Sequence, residues 1–123
     1  MLNYEHLLTI AQKTAREAMQ SLVKINSTSI NYKYDSELPR EMKSEVDYEL
    51  EKIILKSLNL TKIPIISEEM SYSLDSFNRG LCWVVDPLDG TVNFIRGIAP
   101  CSISIALWDD MKSIFGVIIE YPS

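Results

Sequence analysis

Histidine is almost missing from this chain: His6 is the only one in 123 residues. Cysteine is hardly commoner, with Cys82 and Cys101 alone and no Cys-x-x-Cys spacing. These scarcities argue against a Cys/His zinc centre and a disulfide framework, and they predict a reduced, cytoplasmic setting. Gly and Pro are few, at four and five, so neither a disordered linker nor a fibrous repeat is expected. Basic residues are outnumbered. Twelve Lys and Arg against seventeen Asp and Glu leave a formal charge of -5, and no basic stripe is present, so no nucleic-acid partner is expected. No apolar run is long enough to span a bilayer. Met1 to Leu8 lacks the basic segment and apolar core of a secretory signal. No membrane partner is therefore expected.

What is there suits one small domain over residues 1–123, since 46% of the chain is hydrophobic and a chain of this length can bury a core. Residues 3 to 24 place Tyr4, Leu7, Leu8, Ala11, Ala15, Ala18, Met19 and Leu22 on one helical face. His6 falls in the first turn and reads as surface. Residues 25 to 40 read as a loop with a short extended piece at Ser29 to Tyr34. A second helix is expected from Glu41 to Leu58, with Val46, Leu50, Ile53, Ile54 and Ser57 inward. Lys43, Asp47 and Glu51 recur every four residues on its other side. Spacing alone makes that side a solvated face.

Short apolar runs follow: Ile63 to Ile66, with Pro64 suggesting an edge, then Leu81 to Val85. Cys101 to Trp108 alternates like a half-buried strand. Asp109-Asp110 reads as a hairpin turn, and Ile114 to Ile119 as the return strand. Helices first and strands later predict an α+β layer. The last strand is followed only by EYPS, so the chain reads as truncated, an ordinary edge-strand terminus being the alternative.

Two apolar runs finish in acids: Glu68 and Glu69 after one, Asp86 and Asp89 after the other. If the two strands are neighbours, these carboxylates share one rim. Clustered carboxylates repel unless a cation compensates, and an all-oxygen set favours Mg²⁺ or Mn²⁺. Pro87 biases Asp86 toward extended backbone. The Leu88 carbonyl is a further hard ligand, and Gly90 permits close backbone approach. Thr91 can begin a helix whose free N–H groups receive a phosphate. A capped turn at Asp89 or Thr91 accounts for the hexapeptide equally well. There is no P-loop, and a calcium loop from Asp86 would put Leu88, Gly90 and Gly97 where oxygen ligands are needed.

Ser67-Glu68-Glu69 followed by Trp83-Val84-Val85-Asp86-Pro87-Leu88-Asp89-Gly90-Thr91-Val92-Asn93-Phe94 resembles the inositol monophosphatase-like phosphatases. Arg40 to Asp47, with Lys43 before the helical aspartate, looks most like the 3'(2'),5'-bisphosphate nucleotidase branch. The resemblance implies a partial domain over 1–123: the N-terminal half of a layered α/β sandwich, two helices packed on a largely antiparallel sheet. Its implied activity is Mg²⁺-dependent hydrolysis of a phosphate monoester, by in-line displacement with a metal-activated water. Glu68, Asp86 and the Leu88 carbonyl would hold a first Mg²⁺, and Asp86 with Asp89 a second. Asp47 and Thr91 would orient the water, with Glu69 assisting. The Gly90 and Thr91 N–H groups would cradle the phosphate of a nucleotide bisphosphate or an inositol or sugar phosphate. Nothing after Thr91 matches the further aspartate ligand that the family's second half supplies. A non-enzymatic metal-binding or assembly module is the alternative reading, and uncovered apolar strands point to self-association.

Overall fold

The structure is a computed structural model that describes residues 3–25, 39–67, 80–89 and 101–121, with the backbone alone at 25, 39–45 and 87–89. Helix α1 spans Tyr4–Ile25 and helix α2 spans Pro39–Leu58. A 3₁₀ turn at Asn59–Thr61 leads into β1, Ile65–Ser67. Strands β2 (Leu81–Asp89), β3 (Cys101–Asp109) and β4 (Lys112–Tyr121) complete one mixed sheet in the order β1-β2-β3-β4. β1 runs parallel to β2, and the other pairings are antiparallel. The segment Ser29 to Tyr34 lies outside the described residues. Among those described, no helix is long and apolar enough to cross a membrane.

Asn3 starts α1 by accepting the Glu5 N–H on its side-chain oxygen at 2.8 Å, an N-cap that satisfies one of the free donors of the first turn. The expected stripe is buried at Leu7, Ala11, Ala15, Ala18, Met19 and Leu22. The three alanines keep that face thin, so α1 lies close over β3 and β4 while α2 packs against α1 and β2. Tyr4 and Leu8 sit at the margin, and His6 is exposed as expected. The α2 residues Val46, Leu50, Ile54 and Leu58 join Trp83, Val85, Ile103, Ile105 and Leu107 of the sheet in one core.

The alternation expected for β3 holds. Cys101, Ile103, Ile105 and Leu107 are buried, and the residues between them are only partly so. Burial raises both thiols, Cys82 and Cys101, above the ordinary cysteine range, so each packs as a small neutral hydrophobe. Among the described strands β4 is at one edge, and its Ile118 is 68% exposed.

The hairpin turn falls one residue later than the spacing predicts. Asp109 pairs with Lys112 as the last rung, and Asp110 and Met111 form the turn with φ of 48° and 69°. Positive φ at both central residues matches the right-handed twist of the flanking strands. Asp110 tolerates it because its carboxylate accepts the Gly80 N–H at 2.8 Å and its N–H donates to the Gly80 carbonyl at 3.1 Å. Gly80 itself has φ of 74°, where a side chain would be strained.

Asp109 also ties the hairpin to α1, accepting the Tyr4 hydroxyl at 2.8 Å. That hydrogen bond, then burial, then the charges of Asp109 and Asp110, hold the Tyr4 phenol above 10.0. A raised folded-state value means stability that is present below the unfolded value and lost as pH rises through the folded one. Tyr4→Phe is therefore expected to flatten the fall in stability above about pH 10, and urea titrations at pH 8 and 11 check it.

Candidate active site

β1 and β2 form the frame of the site. Ile65, Ile66 and Ser67 stand beside Trp83, Val84 and Val85. The two strands run the same way, so β1 ends beside Val85, one residue before Asp86. The condition set by the sequence, that the two strands be neighbours, is met. Glu68, Glu69, Gly90 and Thr91 lie outside the described residues. Leu88 and Asp89 are placed by their backbone in β2.

β2 does not stop at Val85 as its apolar run suggested. It continues through Asp86 to Asp89, because Ser104 and Ser102 of β3 supply ladder partners beyond it. Asp86 is opposite Ser104 and Asp89 opposite Ser102, with a register irregularity between. Three steps along β2 thus match two along β3, which is a bulge. Pro87 explains it, since a residue without an N–H cannot serve a regular ladder. In an unbroken strand, residues three apart fall on opposite faces. The extra residue restores the phase, so positions 86 and 89 stand opposite two serines of one face. The side chain of Asp86 is half-buried, and its Oδ1 is fully so.

The helical carboxylates correct the solvated-face reading. Asp47 is 4% exposed and Glu51 6%, and each has a partner. Their neighbours one position earlier, Val46 and Leu50, are core residues. Position i+1 lies about 100° around a helix, so a core wide enough to take both columns covers the acids as well. The side chain of Lys43 lies outside the described residues.

Two features were missed from the sequence. Glu51 is buried one turn beyond Asp47. Ser67 is 1% exposed, and among the described residues no group is hydrogen-bonded to its Oγ. Its place directly before Glu68-Glu69 was the available signal. Among the described residues, no three His, Cys, Asp or Glu side chains stand within reach of one metal ion.

The scaffold is held by Thr61. Its hydroxyl donates to the Leu58 carbonyl at 2.6 Å, and accepts the Trp83 Nε1–H at 3.0 Å and the Ile63 N–H at 3.3 Å. The Trp83 N–H donates to the Pro64 carbonyl at 2.8 Å. One side chain thus joins the end of α2, the entry to β1 and the middle of β2.

Two helices on one face of a mixed sheet, with acids on a bulged strand beside a parallel neighbour, define a layered α/β fold. The chain belongs to the inositol monophosphatase family, whose profile matches residues 3–121. It is 36% identical over 111 residues to the 3'(2'),5'-bisphosphate nucleotidase CysQ of Buchnera aphidicola, covering 85% of this chain and 40% of that protein. It is 28% identical over 123 residues to the inositol-1-monophosphatase of Bacillus subtilis, covering 98% and 46%. Among solved structures, CysQ from Bacteroides thetaiotaomicron, a bacterial member of the inositol monophosphatase family, superposes with a TM-score of 0.78 at 25% identity. That match covers 96% of this chain and 43% of that one. The chain spans less than half the length of these relatives.

Proposed function

We propose that the protein containing this chain is a Mg²⁺-dependent phosphomonoesterase, and that this chain carries its metal- and water-holding half. The observation that carries the reading is the parallel pairing of β1 with β2, by which β1 ends at Ser67 beside Val85, the residue before Asp86. Glu68, Asp86 and the Leu88 carbonyl would hold one ion, and Asp86 with Asp89 another. The donor set is oxygen throughout, which fits a hard divalent cation. A bound Mg²⁺ would supply Lewis-acid polarisation and charge neutralisation at the phosphate. Asp47 would orient the attacking water together with Thr91 and accept its proton, and Glu69 would assist. The Gly90 and Thr91 N–H groups would bind phosphate oxygens.

A 3'(2'),5'-bisphosphate nucleotide is the favoured substrate, and an inositol phosphate the second. The 36% match to a nucleotidase and the Lys43 to Asp47 segment support that order. The test is phosphate release from adenosine 3',5'-bisphosphate and from inositol 1-phosphate by the complete protein. Release is expected with Mg²⁺ and not with EDTA, faster from the nucleotide. Asp47→Asn should lower kcat by about 100-fold or more, the usual contribution of a positioned base. Absence of Mg²⁺-dependent release from either substrate would overturn the reading.

A further inference from the structure

Ser67 occupies an uneconomical position for a hydroxyl. A buried polar group without a hydrogen-bond partner costs about 1–3 kcal/mol, and buried polar atoms in folded proteins are rarely left so. Ser67 is 1% exposed, and no group among the described residues pairs with its Oγ. Alanine would fill this place without that cost.

Its surroundings suggest what the hydroxyl serves. Ser67 is in register with Val85, a core residue, so its position belongs to the face of the sheet that carries the helices. The chain doubles back between α2 and β1 through the 3₁₀ turn, where Lys62 has φ of 61°. From Ile63 to Ser67 the extended chain then climbs about 13 Å. That equals about nine residues of helix. Counted back from Leu58, it brings Ser67 level with the turn of α2 that carries the buried Asp47 and Glu51.

We propose that Ser67 is a positioning residue for Asp47: its hydroxyl holds a buried water between the end of β1 and this turn of α2. By fixing that water it sets the orientation of the Asp47 carboxylate toward the divalent-cation site. The inference rests on the metal-dependent reading above and adds to it a residue that binds neither metal nor phosphate itself.

The experiment is calorimetric titration of the complete protein with Mg²⁺ alone, alongside thermal melting without metal. Ser67→Ala is expected to weaken Mg²⁺ uptake about three- to tenfold, the loss of one hydrogen bond, with a metal-free melting temperature unchanged or higher. Ser67→Cys, which keeps a side chain there but offers only a weak donor, should weaken uptake likewise. The losses from Ser67→Ala and Asp47→Asn should not add, because both act through one carboxylate. Unchanged Mg²⁺ affinity in both Ser67 variants would overturn the role of Ser67 and leave the phosphatase reading standing. A fall in affinity accompanied by a lower metal-free melting temperature would assign Ser67 to packing instead. Additive losses would overturn the link to Asp47. Absence of saturable Mg²⁺ uptake by the unmutated complete protein would overturn the metal reading and this inference with it.

Discussion

Asp86→Asn is expected to lower Mg²⁺ affinity and phosphate release by at least about 100-fold. Substituting even the outer partners of metal ligands typically costs 10–100-fold, and Asp86 is the residue proposed to serve both ions. The substitution preserves shape. Asp86 meets Ser104 of β3 through its main chain, so asparagine leaves the ladder and the bulge at Pro87 intact. It removes the charge and turns one acceptor oxygen into an NH₂ donor. Carboxylates gathered at one strand end repel when no cation is bound, so the metal-free variant should melt at the same temperature or higher. Loss of function with retained or increased stability separates a ligand from a structural residue. Calorimetric Mg²⁺ titration and thermal melting of the variant supply both readouts. An unchanged Mg²⁺ affinity would remove Asp86 from the site.

Trp83→Ala should bring the chain close to unfolding. Among the described residues Trp83 is the largest fully buried side chain. Its ring meets Phe115 of β4 edge-on, with centroids 5.9 Å apart and planes at 63°, an arrangement that aromatic quadrupoles favour. Its Nε1–H donates to Thr61. Truncating a buried tryptophan costs about 3–5 kcal/mol through lost transfer energy and the remaining cavity, against a total stability of about 5–15 kcal/mol for ordinary domains. Trp83→Phe keeps most of the ring contacts and loses the hydrogen bond to Thr61, so a cost nearer 1 kcal/mol for that bond is expected. Urea unfolding followed by circular dichroism measures both. A cost below about 1 kcal/mol for Trp83→Ala would contradict the packing described. The effect should reach the acidic site as well, since Trp83 lies three residues before Asp86 and its N–H anchors the entry to β1.

The sequence by itself determined the elements whose signals are local. The α1 stripe could be read from Leu7 to Leu22 because a helix repeats its inward positions every three or four residues. The inward face of β3 could be read because Cys101, Ile103, Ile105 and Leu107 alternate with smaller or polar residues. The family was legible in Ser67-Glu68-Glu69 and the run from Trp83 to Phe94, where chemistry constrains residue type at fixed spacing. The tertiary structure decided what depends on the element across the gap. Asp47 and Glu51 read as a solvated face until the width of the packed core showed them covered, because helical periodicity says which residues share a side and not what lies against it. Asp86 and Asp89 read as acids beyond the end of a strand, in a ligand loop or a capped turn, until Ser104 and Ser102 supplied partners and the bulge restored their phase. Ser67 read only as the first residue of the Ser67-Glu68-Glu69 motif until its burial emerged. Register and burial are set by pairings between residues far apart in the chain, and no local pattern encodes the partner that covers a given side chain.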